Sequence, residues 1–434
     1  MKSKLLFLCL FFIQIGIAQN IVFPDPELKN HLLIANIDYN IDPYVTVTYP
    51  PIDANNDGEI SQAEALNVIS LDFSYLNITN LEGLQYFTNI KKIFSFCPNF
   101  PTFNQPTLVN LEDLSLYNIC GTGALTSINL SANTNLKKFQ FSNNVVTSLN
   151  FSSNTLLEEI FISGSELTSV NFSNLSNLKF LSYYGKAATI DISDAINLLS
   201  LFCYGNSETF SSTENNLLTS IDLSNQTKLI NLDLTGNNIS TLDLSNCLNL
   251  ENIYISNNQI EILNIDNLEY VKSFQCQNNL LTTLNVDDLF NLQDLNCNNN
   301  LLISLSTKNG IIEDYIYFSG NPSLATVCCD ENEVVYMQNQ CNLNGITATI
   351  VDFNCNSTNT EARIAMYPNP VKDMLHLDSN KTISKIEIYT TSGLMVMNSG
   401  LKNNVINLQS LQSGIYFIKV YSREETSIMK FAKQ

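Results

Sequence analysis

Residues 229–249 read LINLDLTGNNISTLDLSNCLN, and residues 250–270 repeat the arrangement as LENIYISNNQIEILNIDNLEY. Apolar residues stand at the first, fourth and sixth positions of each stretch, and an asparagine stands at the ninth. This asparagine recurs every 21 residues, at Asn237, Asn258, Asn279, Asn300 and Asn321. A fixed period of about 20 to 29 residues is typical of a solenoid, in which each repeat buries its apolar side against its neighbours.

The frame L-x-x-L-x-L-x-x-N extends in both directions from this stretch. Further copies begin at Val271 and Leu292 downstream, and at Leu198, Leu178, Leu157, Leu136 and Leu111 upstream, with degenerate copies at Ile90 and Val68. The interval before Leu229 is longer because of a polar run, Ser207 to Asn216, which we assign to a surface loop. We therefore expect about a dozen coils over residues 68–327.

A second apolar pattern lies inside each coil, as in Ile239-Leu242-Leu244. It predicts two inward-facing extended stretches per coil, joined by short polar turns. The frame resembles the leucine-rich repeat family, which implies a mainly β solenoid with one short strand of each coil on a concave face. We expect the frame asparagine to bond free backbone groups between coils, because its amide is both donor and acceptor.

Residues 1–18 have the features of a secretory signal peptide. A start containing Lys2 and Lys4 precedes an apolar run from Leu5 to Ile17, and the small residue Ala18 stands at the exit. The run is short for a bilayer span and no comparable run follows, so we expect an exported chain without a transmembrane segment. The net charge of −20 argues against nucleic acid as a partner.

The cysteines fall into groups with different expected roles. Cys203, Cys276 and Cys297 occupy an inward position of the frame and are expected to be small core residues, although the last two can also pair. Cys97 and Cys120 can join neighbouring coils. A cluster after the last coil predicts a disulfide-stapled C-terminal cap over residues 328–355, formed by Cys328, Cys329, Cys341 and Cys355.

Residues 53–64 read DANNDGEISQAE, which matches the twelve-residue EF-hand loop. The pattern predicts a structural Ca²⁺ site in an N-terminal cap over residues 19–67, and an acidic turn beside a helix is the alternative. We expect flanking helices at Asp25 to Ala35 and at Gln62 to Ile69. The predicted ligands are Asp53, Asn55, Asp57, Glu59, Ser61 and Glu64.

The 21-residue frame is lost after Cys355. A polar linker, residues 356–362, precedes a segment with short strand-like runs and glycine turns, which predict a small β-sandwich. This segment, residues 363–434, resembles the C-terminal sorting domain of the type IX secretion system, which implies contact with that machinery and a protein released from, or attached to, the outer cell surface. The resemblance rests on sorting-motif residues Tyr367, Pro368, Asn369, Pro370, Gly393, Gly414 and Lys430.

Positions flanking the frame leucines are expected to point outward on the concave face. Aromatic residues concentrate there on coils near the insertion, and a contiguous exposed aromatic patch often marks a binding surface. Packing of these aromatics under the Ser207 to Asn216 loop is the alternative interpretation. The candidate ligand-binding residues are Phe161, Phe180, Tyr184, Phe202, Tyr204 and Tyr254.

The sequence favours a binding protein over an enzyme. Its two histidines, His31 and His376, lie in separate predicted domains and offer no histidine-centred triad. Aromatic residues among Ser, Asn and Gln suit an extracellular protein partner and would also stack on sugar rings. We expect a non-catalytic protein for protein or cell adhesion, with a glycan-binding accessory protein as the alternative.

Overall fold

The computed structural model describes residues 19–38, 49–121, 125–163, 166–205, 218–352, 364–379, 383–390, 394–399, 404–422 and 426–434. The chain divides into two units, Met1–Asp352 and Phe353–Gln434. The predicted signal peptide, the Ser207 to Asn216 insertion, the predicted linker, Cys355 and Gly393 lie outside the described residues. In the part of the chain that is described, no helix is both long and apolar enough to cross a bilayer.

The first unit is built on one long parallel sheet of twelve strands, to which each coil contributes one strand. Its register advances by one repeat between neighbours, so that Leu232 lies beside Ile253 and Ile253 beside Phe274. This confirms the predicted leucine-rich repeat solenoid. The strands are Ser70–Asp72, Lys92–Phe96, Asp113–Tyr117, Lys138–Ser142, Glu159–Ser163, Phe180–Tyr183, Ser200–Phe202, Asn231–Asp233, Asn252–Tyr254, Ser273–Gln275, Asp294–Asn296 and Tyr315–Tyr317.

The second apolar pattern of the coils forms shorter parallel sheets. An Asn or Asp often ends the strand and accepts the N–H two residues later, as Asp243 does from Ser245 at 3.0 Å. This local turn closes the coil because it satisfies a backbone donor that leaves the sheet. The strands are Thr102–Asn104 with Ser127–Asn129, Ser148–Asn150 with Ser169–Asn171, Thr241–Asp243 with Ile262–Asn264, and the four strands Thr283–Asn285, Ser304–Ser306, Thr326–Cys328 and Thr349–Val351.

The two sets of strands enclose one continuous apolar core. Frame residues such as Leu232, Ile253 and Leu295 are fully buried. Burial of a Leu or Ile side chain contributes about 1.5–3 kcal/mol, and each coil repeats this contribution against its neighbours. Larger side chains fill the middle coils, where Phe151 stacks with Phe172 at 6.0 Å.

The frame asparagines bridge successive coils, as predicted. The Asn258 Nδ2 donates to the carbonyls of Leu234 at 2.8 Å and Ile255 at 3.1 Å, while its Oδ1 accepts from the N–H of Ile239 at 3.1 Å. The amides of Asn237, Asn279, Asn300 and Asn321 make the same three kinds of bond. Each amide therefore satisfies backbone groups that the turn would leave buried without a partner.

We predict that Asn258→Ala destabilises the solenoid by about 2–4 kcal/mol, because two carbonyls and one N–H lose a buried partner. The exposed neighbour Gln259 provides the control, since Gln259→Ala removes only a long surface contact to Asn238. Urea unfolding followed by circular dichroism measures both variants. Equal midpoints for the two variants would contradict the bridging role.

Residues of alternating charge lie just before the first residues of successive strands of the long sheet. Glu112 pairs with Lys91 at 3.3 Å on one side and with Lys137 at 2.7 Å on the other. Glu158 with Lys179 and Glu251 with Lys272 continue the series. Exposed pairs of this kind each contribute about 0–1 kcal/mol, so we assign them to coil register rather than to stability.

The N-terminal segment packs on the first coil. Helix α1, Pro26–Ile34, agrees with the predicted helix, and its N-cap Asp25 also accepts from the N–H groups of Thr79 and Asn80. Helix α2 is only Gln62–Ala65, so the predicted extension to Ile69 was wrong. The chain leaves the helix because the N–H of Ile69 bonds the carbonyl of Ile37 and the first sheet strand begins at Ser70.

The cysteines behave mostly as core residues. Cys97 and Cys120 form a disulfide between the first coils, which confirms the predicted pairing. The predicted C-terminal staple was wrong for Cys329 and Cys341, which are free and buried in the apolar core. Cys328 is disulfide-bonded. The inward cysteines of the frame, Cys203, Cys276 and Cys297, are also free and buried, as expected for small core side chains.

The end of the solenoid is covered by helix α3, Val334–Leu343, and by a short 3-10 turn, Glu331–Glu333. Two carboxyl groups are buried at this end, Glu313 at 5% exposure and Glu333, the last residue of the 3-10 turn, at 2%. Burial, together with the adjacent Glu313 carboxyl, raises the pKa of Glu333 to about 8. Asn309 Nδ2 donates to Glu313 Oε1 at 2.7 Å, and among the described residues no donor reaches the buried Glu313 Oε2.

We predict that the first unit loses stability as pH rises from about 4.5 towards 8. Over this window the folded state keeps a proton on Glu333 that the unfolded state releases, so the free energy of unfolding falls by up to about 1.4 kcal/mol per pH unit. Glu333→Gln should flatten this dependence and be more stable than the parent at alkaline pH. Thermal unfolding between pH 5 and 9 measures it, with exposed Glu331→Gln as control; parallel curves for parent and Glu333→Gln would contradict the assignment.

The second unit is a small β-sandwich, as predicted. A three-stranded antiparallel sheet and a four-stranded antiparallel sheet share one core that includes Leu375, Ile388 and Phe431. The sequence did not reveal the strands at Ile364, Val405 and Thr426. The first sheet contains Ile364–Tyr367, Met374–Ser379 and Val405–Asn407, and the second contains Met395–Ser399, Ile383–Thr390, Gly414–Ser422 and Thr426–Lys433.

Candidate binding site on the long sheet

The outward side chains of the long sheet form rows that run across the strands. Because neighbouring strands are parallel and in register, equivalent positions of successive coils lie side by side. One row places Phe202, Asp233 and Tyr254 next to one another. The sheet therefore gathers residues that are 21 to 31 positions apart in the sequence onto one surface, which we call the sheet face.

Three of the predicted aromatic residues, Phe180, Phe202 and Tyr204, come together at the centre of the sheet face, and Phe161 lines a cavity with Phe180. Tyr254 lies further along the sheet, separated from Phe202 by Asp233. The ring of Phe202 lies 5.5 Å from that of Phe180 and 5.9 Å from that of Tyr204, measured between centroids. All the predicted residues are partly buried, which fits rings lying against the sheet. We call this group the central patch: Phe161, Phe180, Tyr184, Phe202, Tyr204 and Tyr254.

A shallow cavity of about 300 Å³ opens at one side of the central patch. Its walls are polar on one side, where Lys138 pairs with Glu159 at 3.2 Å, and aromatic on the other. The lining residues are Lys138, Gln140, Glu159, Ile160, Phe161 and Phe180. The cavity thus gives the patch a recess next to an ion pair.

Asp233 interrupts the aromatic row between Phe202 and Tyr254. Its carboxylate accepts the N–H of Thr235 at 2.9 Å. Burial raises the pKa of Asp233, although the bonds from Thr235 oppose the shift. Burial also raises the pKa of Tyr204 to about 12, with the Asp233 charge as the next cause, so carboxylate and phenol are electrostatic neighbours.

A second aromatic cluster, which sequence reasoning did not single out, lies at the start of the sheet face. Phe94 and Phe96 meet edge to face at 4.8 Å, and Tyr117 and Tyr75 pack at 5.5 Å and 5.9 Å from Phe96. Tyr75 is 65% exposed. The outward positions of Phe94, Phe96 and Tyr117 were the available signal, but the degenerate frame at Ile90 obscured their common face.

The strands that follow the central patch carry mostly amides and carboxylates, and the last strand carries two stacked, exposed tyrosines, Tyr315 and Tyr317. Asn252 Nδ2 donates to Asn231 Oδ1 at 2.8 Å, and Gln275 Nε2 donates to Asp294 Oδ2 at 2.8 Å. These side chains satisfy one another across the strands. These hydrogen-bonded side chains make this part of the face more polar than the central patch.

The predicted calcium loop is folded as a tight turn. Asn56 and Gly58 have φ values of 56° and 78°, which turn N–H groups of the loop inwards. Asp53 accepts from the N–H of Gly58 at 3.1 Å, and Asn55 accepts from that of Asp57 at 3.0 Å. Ile60 is fully buried and its carbonyl accepts from the N–H of Ile21, so the loop is anchored to the N-terminal segment.

The loop oxygens are occupied by protein donors in this arrangement. Glu64 accepts from the N–H of Ser61 at 2.8 Å and from that of Ala54 at 3.0 Å. Burial raises the pKa of Glu64, but these hydrogen bonds outweigh it and the pKa lies below its ordinary value. Glu59 pairs with Lys29 at 2.7 Å, and the Ser61 side chain accepts the Glu64 N–H. Among the described residues, which include the whole loop, no three Asp, Glu, His or Cys side chains form a metal-holding group.

Asn369 and Lys430 of the sorting motif meet in the second unit although they are far apart in sequence. Asn369 Oδ1 accepts from the N–H of Ala432 at 2.8 Å, and its Nδ2 donates to the carbonyl of Lys430 at 3.2 Å. Tyr367 stacks on His376 at 5.3 Å. The Tyr367-Pro368-Asn369-Pro370 motif is thereby joined to the C-terminal strand. Gly414 begins the preceding strand of the same sheet.

Comparison with known families identifies the second unit. Residues 365–434 match the family described as secretion system C-terminal sorting domain. The protein is therefore secreted or attached to the outer cell surface. The sorting domain also implies the secretion machinery as a partner, in agreement with the resemblance seen in the sequence.

Solved structures resemble the chain at low sequence identity. A leucine-rich repeat protein of Leptospira interrogans is 17% identical over 65% of this chain and 76% of its own, with a TM-score of 0.43. The functional domain of InlJ from Listeria monocytogenes is 16% identical over 87% of this chain and 93% of its own, with a TM-score of 0.45. An internalin, inlF, of Listeria monocytogenes is 17% identical over 78% of this chain and 94% of its own, with a TM-score of 0.38. No curated protein sequence matches the chain significantly.

Proposed function

We propose that this exported protein is a non-catalytic adhesion protein, and that the central patch receives a partner protein at the cell surface. The observation that carries the proposal is the ring-to-ring contact of Phe180, Phe202 and Tyr204 on the outer side of a rigid sheet. Aromatic side chains are enriched at protein interfaces and lose little conformational entropy when a partner covers them.

The chemistry of the sheet face suits binding rather than catalysis. His31 lies in α1, where its ring packs on Phe73 at 6.0 Å, and burial lowers its pKa. His376 belongs to the second unit and stacks on Tyr367. The acids Asp113 and Glu159 of the face lie beside lysines, as in the Lys138–Glu159 pair, so lysines of the same surface balance their charges.

We predict that Phe202→Ala with Tyr204→Ala lowers binding of the labelled full chain to intact cells by about tenfold or more, because truncating central aromatic contacts typically costs a few kcal/mol. Tyr270→Ala with Phe290→Ala is the matched control, since these aromatics are 54% and 49% exposed on turns outside the sheet. Flow cytometry with bacterial and host cells measures the loss, and circular dichroism checks the fold.

Unchanged cell binding of the patch variant would exclude the central patch as the adhesion site. A glycan array, run with the same proteins, tests the alternative partner. Patch-dependent binding to purified glycans without protein would favour a glycan-binding accessory protein over the protein-adhesion function proposed above.

We further propose that the loop of residues 53–64 binds a structural Ca²⁺ that fixes the N-terminal cap to the first coil. What supports this is the donor set: carboxylate, amide and hydroxyl oxygens at the spacing of a calcium loop, on a backbone already turned at Asn56 and Gly58. Asp53, Asn55, Asp57, Ser61 and Glu64 would supply side-chain oxygens, and Glu59 its carbonyl. The bound ion would replace hydrogen bonds that now satisfy these oxygens.

We predict that about 10 mM Ca²⁺ stabilises the full chain by about 1–3 kcal/mol, as expected for an extracellular site with a Kd of about 10⁻⁴–10⁻³ M. Asp57→Asn should reduce this gain because it removes a charge while keeping an oxygen for the Glu59 N–H. Exposed Glu82→Gln is the control outside the loop. Calorimetric melting with Ca²⁺ and with Mg²⁺ measures the effect, and a melting temperature unaffected by Ca²⁺ would rule the site out.

A further inference from the structure

Asp233 is the acidic side chain that lies between two aromatic residues of the central patch. Glu159, at the other side of the patch, pairs with Lys138, and Asp294, further along the face, accepts a hydrogen bond from Gln275. The neighbours of Asp233 in the row are Phe202 and Tyr254, and its charge contributes to the raised pKa of Tyr204. Its carboxylate is partly buried, and the hydrogen bonds that favour its ionised form come from Thr235, two residues along the same chain.

No positive charge compensates Asp233 on this half of the face. From Phe180 to Ser319, the outward positions of the sheet contain no Lys or Arg. Residues 206–217, the insertion between Phe202 and Asp233 in the sequence, contain no Lys, Arg or His either. In the described part of the chain, burial raises the pKa of Asp233 and hydrogen bonds from Thr235 lower it, and no cation contributes.

Asp113 offers an internal comparison. It also lies near an aromatic side chain, Tyr117, whose pKa burial and the Asp113 charge raise to about 12. Its neighbours across the strands, however, are Lys92 and Lys138. Asp113 therefore has cations within its own surface, whereas the described part of the chain gives Asp233 aromatic neighbours and no cation.

A partly desolvated carboxylate between aromatic rings matches the chemistry of a guanidinium group. Arginine is planar and weakly hydrated, so it stacks on aromatic faces while its N–H fork reaches a carboxylate. A lysine ammonium is more strongly hydrated and gains less from stacking. The net charge of −20 further favours a basic partner segment, because opposite charges speed encounter and select the partner.

We propose that Asp233, framed by Phe202, Tyr204 and Tyr254, is the anchoring site for an arginine side chain of the partner protein. This inference rests on the proposed function of the central patch and names the chemistry of its partner. The carboxylate receives the guanidinium fork, and the rings cover its planar faces. Aromatic residues of the patch then bury the apolar residues that flank the arginine.

The test uses a short acetylated peptide amide, Gly-Ser-Arg-Ser-Gly, and its counterpart with citrulline in place of arginine. Citrulline keeps the shape of arginine without its charge. Ligand-observed NMR titration of the full chain should show binding of the arginine peptide, about tenfold or more weaker binding of the citrulline peptide, and weakening as salt is raised.

Variants locate the binding on the sheet face. Asp233→Asn should lower affinity for the arginine peptide by about tenfold, and it keeps an acceptor for the Thr235 N–H, so the strand end is preserved. Asp113→Asn should leave the affinity unchanged. Phe202→Ala, which does not alter the charge, should weaken binding by a smaller factor through loss of stacking.

Equal binding of the arginine and citrulline peptides, or full binding by Asp233→Asn, would overturn the proposal. So would Asp233-dependent binding of a neutral glucan oligosaccharide in place of the arginine peptide. If the Phe202 and Tyr204 variant loses cell binding but the arginine peptide does not bind, the inference fails and the adhesion function stands. If the peptide binds at Asp233 while cell binding is unaffected by the patch variant, the arginine site stands and the adhesion function fails.

Discussion

The frame asparagine is the interaction on which the first unit depends. In the five coils whose frame asparagines are Asn237, Asn258, Asn279, Asn300 and Asn321, the backbone leaves the long sheet and turns inside an apolar stack, where carbonyl and N–H groups have no water to bond. One amide resolves this because it donates to carbonyls of its own and the preceding coil and accepts an N–H of the preceding coil, as Asn258 does. The coils are thereby held at a constant register, and this register places equivalent side chains of successive coils next to one another.

Because the inward residues maintain the register, the outward residues of the sheet can vary and form a binding surface. The inward residues must be apolar, but the side chains between them affect stability little and can differ from coil to coil. The sheet face accordingly has an aromatic start, a central patch, a stretch of hydrogen-bonded amides and carboxylates, and two tyrosines on its last strand. The same freedom explains two environments for carboxylates: Asp113 among lysines, and Asp233 among rings. The sorting domain places the protein outside the cell or on its surface, where such a face can meet a partner.

The sequence predicted features that repeat or match a known motif, and it missed those that depend on how distant segments pack. The ladder, the two strands per coil and the central aromatic residues follow from periodicity, because side chains one period apart share a face. The Phe94–Tyr117 cluster was missed because the frame is degenerate where it begins. The buried Glu313–Glu333 pair depends on how α3 covers the last coil, and nothing in the spacing of two acids indicates that. The C-terminal cysteine staple was wrong for Cys329 and Cys341 because cysteine spacing does not distinguish a disulfide from a small core side chain. The calcium loop remains a prediction, since its oxygens bond loop N–H groups in this arrangement.

The central claim, that the sheet face is the working surface of the exported protein, can be tested by photocrosslinking on intact cells. A photoreactive benzoylphenylalanine is introduced at Phe202 on the sheet face in one protein, and at Ser148 on a strand of the second set in another. Ser148 is exposed and lies outside the long sheet, so both probes reach solvent on the same folded scaffold. We predict a specific cross-linked partner from position 202 and none from position 148. Cross-linking to the same partner from position 148 alone, or equally from both, would contradict the account.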